Sequence, residues 1–167
     1  MKFNSFEKQR LIDVYVSDKD TRTDIVLVAN TKTRMGFSSL NHCLSLLSAS
    51  VNGHFIKGKW WKKKNERIVF DCWNQKSKGT GHSHSHIFLK LPPNLYDFST
   101  VILRTQCAWA TIGIKKGHRN FSLYKKYKNY GSEERIVSYS IRDFTDDVSK
   151  SFKNIYSRFD ESNHNYF

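Results

Sequence analysis

Ile25-Val26-Leu27-Val28-Ala29 is apolar at every position, the pattern of a central strand covered on both faces. Upstream, Leu11 to Val16 predicts a short edge strand. Leu40, Leu44, Leu47 and Val51 then recur at helical spacing, with Ser38 or Ser39 as N-cap and Gly53 closing the helix. The basic segment Lys57 to Lys64, which encloses Trp60 and Trp61, reads as a loop or hairpin arm. Arg67 to Trp73 reads as a strand, Lys76 to Gly81 as a turn, and His82 to Leu91 as the partner strand, stopped by Pro92-Pro93. Asp97 or Ser99 caps a helix through Val101, Ile102, Ala108 and Trp109, and Arg119 to Tyr130 suits a strand. Ser132 opens another helix, with Glu133 and Glu134 favourably placed in its first turn. The stripe Val148, Phe152, Ile155, Tyr156 and Phe159 predicts a C-terminal helix over 145–160, followed by a polar tail at 161–167.

The chain has 167 residues, no internal repeat and only two prolines, which are adjacent, so a single domain over 1–167 is expected. No stretch reaches the roughly 18 apolar residues of a membrane helix. No apolar signal-peptide core follows Met1, and Cys43, Cys72 and Cys107 are scattered. The expected setting is cytoplasmic and reducing, without a disulfide framework.

Charge narrows the partner. The net charge is +13, and residues 1–130 carry 23 Lys/Arg against 8 Asp/Glu. With 14% aromatic residues, this balance points to nucleic acid, because phosphates reward cations and unstacked bases reward aromatic faces. An anionic membrane surface would call for a long basic amphipathic helix, and the sequence has none.

The candidate chemistry lies in Gly81-His82-Ser83-His84-Ser85-His86-Ile87-Phe88-Leu89. On a strand, alternation puts His82, His84, His86 and Phe88 on one face and Ile87, Leu89 and Leu91 on the other. Imidazoles two residues apart can share one divalent ion. The facing strand offers Asp71, Trp73 and Gln75 at one parity, so either Gln75 or Asp71 can add an oxygen ligand. In the helix after Ser132, Val137, Ser140, Ile141 and Phe144 form the inward stripe. Tyr139 lies away from it beside Arg135, Arg142 and Asp143, where guanidinium groups would favour a phenolate and bind a phosphate.

Together, His84-Ser85-His86-Ile87-Phe88-Leu89 and Tyr139-Ser140-Ile141-Arg142 resemble the HUH endonuclease superfamily of rolling-circle replication initiators, relaxases and single-tyrosine transposases. Its pattern is a strand bearing His-x-His before apolar residues, then a helix bearing a tyrosine with a basic residue about a turn beyond. The likeness spans about residues 24–144, with Ile25 to Thr31 in the place of the family's first apolar motif. Ser85 stands where the family has an apolar residue, and Arg142 where it usually has lysine. His82 leaves the register open, although the apolar run directly after His86 favours His84 and His86.

The resemblance implies an α+β fold with a central antiparallel sheet of about five strands flanked by helices. It implies a Mg²⁺ or Mn²⁺ ion on His84, His86 and a third ligand. Replication initiators take that ligand from the neighbouring strand, here Gln75 or Asp71, whereas small transposases use a position four residues after the tyrosine, here Asp143. It also implies that Tyr139, assisted by Arg142, attacks the scissile phosphate of single-stranded DNA and leaves a 5′-phosphotyrosine and a free 3′-hydroxyl. Such a nick would initiate replication or mobilisation of a phage- or plasmid-type element, with a host polymerase or helicase as further candidate partners.

Candidate DNA contacts are Trp60, Trp61 and Lys62, Lys63 and Lys64, together with Lys115, Lys116, Arg119, Lys125, Lys126 and Lys128 in a stretch without acidic residues. Phe121, Tyr124, Tyr127 and Tyr130 are interleaved there as stacking residues. The rival expectation is a non-catalytic, basic protein that binds single-stranded nucleic acid.

Overall fold

The all-apolar run forms β1 (Ile25–Asn30), and it lies inside the sheet because both of its edges are paired. The computed structural model describes residues 25–63, 65–93, 97–125 and 152–154. After β1 come α1 (Phe37–Phe55), a 3₁₀ turn at Trp60–Lys62, β2 (Val69–Lys76), β3 (Ser83–Lys90), α2 (Phe98–Lys115), β4 (Ser122–Lys125) and the three-residue β5 (Phe152–Asn154). The strands form one antiparallel sheet in the order β4-β1-β3-β2-β5. The fold is α+β, with β1, α1, β2, β3, α2 and β4 in a split β-α-β arrangement that sets β3 between β1 and β2.

Both helices cover one face. Leu40, Leu44, Leu47 and Val51 of α1 and Val101, Trp109 and Ile112 of α2 pack on Leu27, Ala29, Phe70, Cys72, Ile87, Leu89 and Leu123. Alternation sends the remaining strand residues to the opposite face. Among the described residues no helix is long and apolar enough to cross a membrane. Cys43, Cys72 and Cys107 are free thiols.

Several boundaries differ from those the sequence predicts. Gly36, not Ser38 or Ser39, is the N-cap of α1; its carbonyl accepts the Leu40 N–H at 3.0 Å, and Phe37 is drawn into the helix by packing on the core. Gly53 lies inside α1, because a glycine ends a helix by adopting a positive φ and Gly53 does not. Asp97 does cap α2, accepting from the Ser99 and Thr100 N–H groups at 3.1 and 3.2 Å.

The helix predicted over 145–160 is corrected within it, since Phe152–Asn154 is strand β5, with Phe152 opposite Trp73 and Asn154 opposite Asp71. Phe-Lys-Asn fits either period. The outer edge of β2 presents main-chain donors and acceptors, and pairing β5 against it satisfies them. The predicted strand at 11–16, the helix after Ser132 and the tail at 161–167 lie outside the described residues.

Candidate metal centre and nucleic-acid interface

Antiparallel pairing builds a cross-sheet row at one end of the face turned away from the helices. His84 stands opposite Gln75 on β2 and Asn30 on β1, while His86 stands opposite Trp73 and Val28. Directly opposed side chains share a face, so His84, His86 and Gln75 come together there. His84 Nε2 lies 3.2 Å from Gln75 Oε1, its Nδ1 lies 3.4 Å from Ser77 Oγ, and the two imidazole centroids are 5.4 Å apart. Gln75 and His86 are buried, and His84 is half-buried.

The other proposed ligands stand apart. His82 belongs to the β2–β3 turn, one residue before β3 begins at Ser83, and its carbonyl accepts the Ser77 N–H at 2.8 Å. Asp71 is opposite Phe88, further along the sheet, and its carboxylate is 3.4 Å from Lys90 Nζ. Among the described residues no three His, Cys, Asp or Glu side chains are grouped to hold a metal. The donor set is therefore two imidazoles and one amide oxygen. That set suits Mn²⁺ or another transition ion better than Mg²⁺, which favours oxygen ligands alone. Tyr139, Arg142 and Asp143 lie outside the described residues.

The chain's direction in each element sorts charge between the ends of the sheet. β1 ends at Asn30, β2 runs up to its turn with β3, and β4 starts with Ser122 opposite Asn30. The connections 31–36, 77–82 and 116–121 therefore emerge at the His84 end. They and the flanking residues carry Lys32, Arg34, Lys76, Lys78, Lys115, Lys116 and Arg119, with no acidic residue. The acidic residues between 25 and 125 are Glu66, Asp71 and Asp97, all toward the other end. Glu66 pairs with Lys63 at 2.9 Å, Asp71 with Lys90, and Asp97 caps α2. Among the described residues the basic excess is thus larger at the end where the imidazoles are.

This polarity divides the expected DNA contacts. Lys115, Lys116 and Arg119 are exposed at the His84 end. Trp60, Trp61, Lys62 and Lys63 precede β2 and lie at the far end of an eight-residue strand, about 25 Å away at ~3.4 Å per residue. Trp60 is 5% exposed, packed with Ala49 and Ile56, so it is corrected from a base-stacking residue to a small core of its own. Trp61 is half-buried beside it. Lys125 is the last residue of β4, and Lys64, Lys126 and Lys128 lie outside the described residues.

The structure adds residues that sequence reasoning missed. Ser77 reaches His84, and Asn30 becomes its neighbour only through the β1–β3 register. A cavity of about 400 Å³ opens beside them, lined by Val28, Asn30, Lys76, Ser77, Lys78, His84 and Tyr124. The polar alternation of β3 signalled the imidazoles and Tyr124 stood among the expected stacking residues, whereas nothing local to Asn30 signals this cavity. No protein-family model, curated protein or solved structure matches the chain.

Proposed function

We propose that this protein is a metal-dependent endonuclease of the HUH type that nicks single-stranded DNA and keeps the 5′ end as a phosphotyrosine. The observation that carries the reading is the meeting of His84, His86 and Gln75 on one sheet face, at the end whose connections are basic. These residues would hold the ion, and the ion would supply charge to polarise the scissile phosphate. Ser77, beside Nδ1 of His84, fixes the ring's orientation. Lys78, Lys115, Lys116 and Arg119 hold the strand by its phosphates. Tyr139 then attacks phosphorus, its phenol proton leaving to water, as the bond to O3′ breaks and O3′ takes a proton from water. One phosphodiester replaces another, so the strand can be rejoined without a nucleotide cofactor. Initiation of replication or mobilisation of a phage- or plasmid-type element fits that reversibility.

A non-catalytic binding sheet is the rival. It needs a series of aromatic faces open to bases, and on this face Trp73 and Phe88 are buried, leaving Tyr124 as the exposed aromatic among the described strand residues. The test is a panel of single-stranded DNAs incubated with the protein and Mn²⁺, then run on a denaturing gel. A DNA-linked protein band that disappears with EDTA is expected. Binding without adduct or nick across the panel would leave the rival standing.

A further inference from the structure

The described lining of the cavity beside His84 comes from three places in the fold. Val28 and Asn30 of β1 form its floor, and Tyr124 of β4, 51% exposed, stands at one side. Ser77 and Lys78, from the β2–β3 turn, form the rim that also carries the Ser77 contact to His84. Its volume of about 400 Å³ falls in the ~300–1,000 Å³ range of small-ligand sites.

Among its described lining a ligand would find a tyrosine ring, a serine hydroxyl and a lysine ammonium group. Each matches one part of a nucleotide: base on tyrosine, phosphate on serine and lysine. A paired, stacked base cannot present its face to Tyr124. A loose polypeptide with acidic groups would be drawn by the same lysines, but it has no need of an exposed tyrosine beside them.

We propose that this cavity is a nucleotide subsite, in which one unstacked base of single-stranded DNA lies on Tyr124 and its adjoining phosphate on Ser77 and Lys78. The subsite rests on the reading of the His84 face as a DNA-cleaving centre, and it sets which phosphate of the strand reaches His84. Tyr124 is a positioning residue, not a reacting one.

The test separates binding from cleavage. Fluorescein-labelled oligo-dT, the same oligomer with abasic sites, and a duplex are titrated in EDTA against the wild type, Tyr124→Thr, Tyr124→Trp and Lys78→Gln. Tyr124→Thr should weaken oligo-dT binding by roughly 5- to 100-fold, the range set by base–aromatic stacking, and leave the abasic oligomer unchanged. Tyr124→Trp should restore affinity. Lys78→Gln should lower the salt slope by about 0.7, the share of a single phosphate that is no longer neutralised. Equal loss on the abasic oligomer, or none on oligo-dT, overturns the subsite.

If Tyr124→Thr misfolds, the wild type carries the test alone. Photo-crosslinking to an oligomer containing 5-iodouracil should modify the peptide that holds Tyr124, and modification confined to other peptides overturns the subsite. Adduct formation with Mn²⁺ is scored separately. Base-dependent binding through Tyr124 without any adduct supports the subsite and removes the cleavage reading, whereas an adduct with no Tyr124 effect does the reverse.

Discussion

Gln75 Oε1 stands 3.2 Å from His84 Nε2 across the β2–β3 pair, with Ser77 Oγ 3.4 Å from the other nitrogen of the same ring. The imidazole is thus held from both ends by residues of β2 and its turn.

That arrangement predicts how Mn²⁺ binding responds to substitution. His84→Ala and His86→Ala should each abolish Mn²⁺-dependent nicking while salt-sensitive DNA binding persists, because in the proposed site different side chains would hold the ion and the phosphates. Gln75→Leu should weaken Mn²⁺ by about tenfold or more, and Gln75→Glu should tighten it, since a carboxylate is the harder and charged oxygen donor. Calorimetric titration reads the Mn²⁺ affinity of all four variants, and a nicking assay reads the loss in the two histidine variants. Unchanged Mn²⁺ affinity in both histidine variants would refute the metal assignment.

Tyr139→Phe removes only the phenol oxygen. It should eliminate the covalent adduct and the nick while Mn²⁺ and DNA binding stay within about twofold of wild type. Tyr124, Tyr127 and Tyr130 are the rival nucleophiles, and their Phe variants should still form adduct. Mapping the DNA-modified peptide decides between them, and a modified peptide from residues 120–130 would sink the Tyr139 assignment.

The β2–β3 hairpin and the face of its histidines were legible in the sequence because both rest on local rules: a period of two, a glycine-rich turn and a double proline stop. The two core helices were legible from their stripes for the same reason. Asn30 beside His84 was not, since strand order β4-β1-β3-β2 is set by pairing between segments far apart in the chain. Nor was the separation of Trp60 from the histidines, because a basic aromatic segment has the same composition whether it flanks the site or lies at the far end of β2.

Charge position predicts a division of labour along the sheet. Replacing Lys115, Lys116 and Arg119 together by Ser should lower the salt slope for short single-stranded oligonucleotides by up to about 0.7 for each phosphate left without its cation. Replacing Lys62, Lys63 and Lys64 together by Ser should matter only for oligonucleotides long enough to reach the far end of β2. Fluorescence anisotropy against salt, at two oligonucleotide lengths, reads the difference. An equal effect of both triple variants on the short oligomer contradicts the division.

Asp97 predicts an acid dependence of stability. Hydrogen bonds from the Thr100 hydroxyl and N–H, and then from the Ser99 N–H, hold its carboxyl below the ordinary value of 3.8. A depressed folded pKa means that the cap's charge-linked stability is full above the ordinary value and lost as pH falls through the depressed one. Asp97→Asn keeps an accepting oxygen but cannot titrate. The gap in urea midpoint between wild type and Asp97→Asn should therefore be constant near neutral pH and close below about pH 4. A gap that stays constant to about pH 2 would contradict the capping role.

Two helical glycines should respond to alanine with opposite sign. At Gly53 in α1 an added Cβ meets nothing within 4 Å, so Gly53→Ala gains helix propensity and should stabilise by up to about 1 kcal/mol. At Gly113 in α2 the same atom falls 2.6 Å from Cβ and Cγ of Phe121 and 2.8 Å from the His118 carbonyl. Phe121 cannot simply step aside. Its ring is stacked on Trp109 at 4.8 Å and on His118 at 5.6 Å, and Trp109 donates its indole hydrogen to the Asn30 carbonyl at 3.3 Å. Overpacking of this kind costs about 1–3 kcal/mol, which outweighs the propensity gain. The displacement should also reach the floor of the cavity through Asn30, so Gly113→Ala is expected to weaken oligo-dT binding as well as lower the urea midpoint. Two variants shifting the midpoint in the same direction would show that α2 does not close on β4 as tightly as the Gly113–Phe121 approach requires.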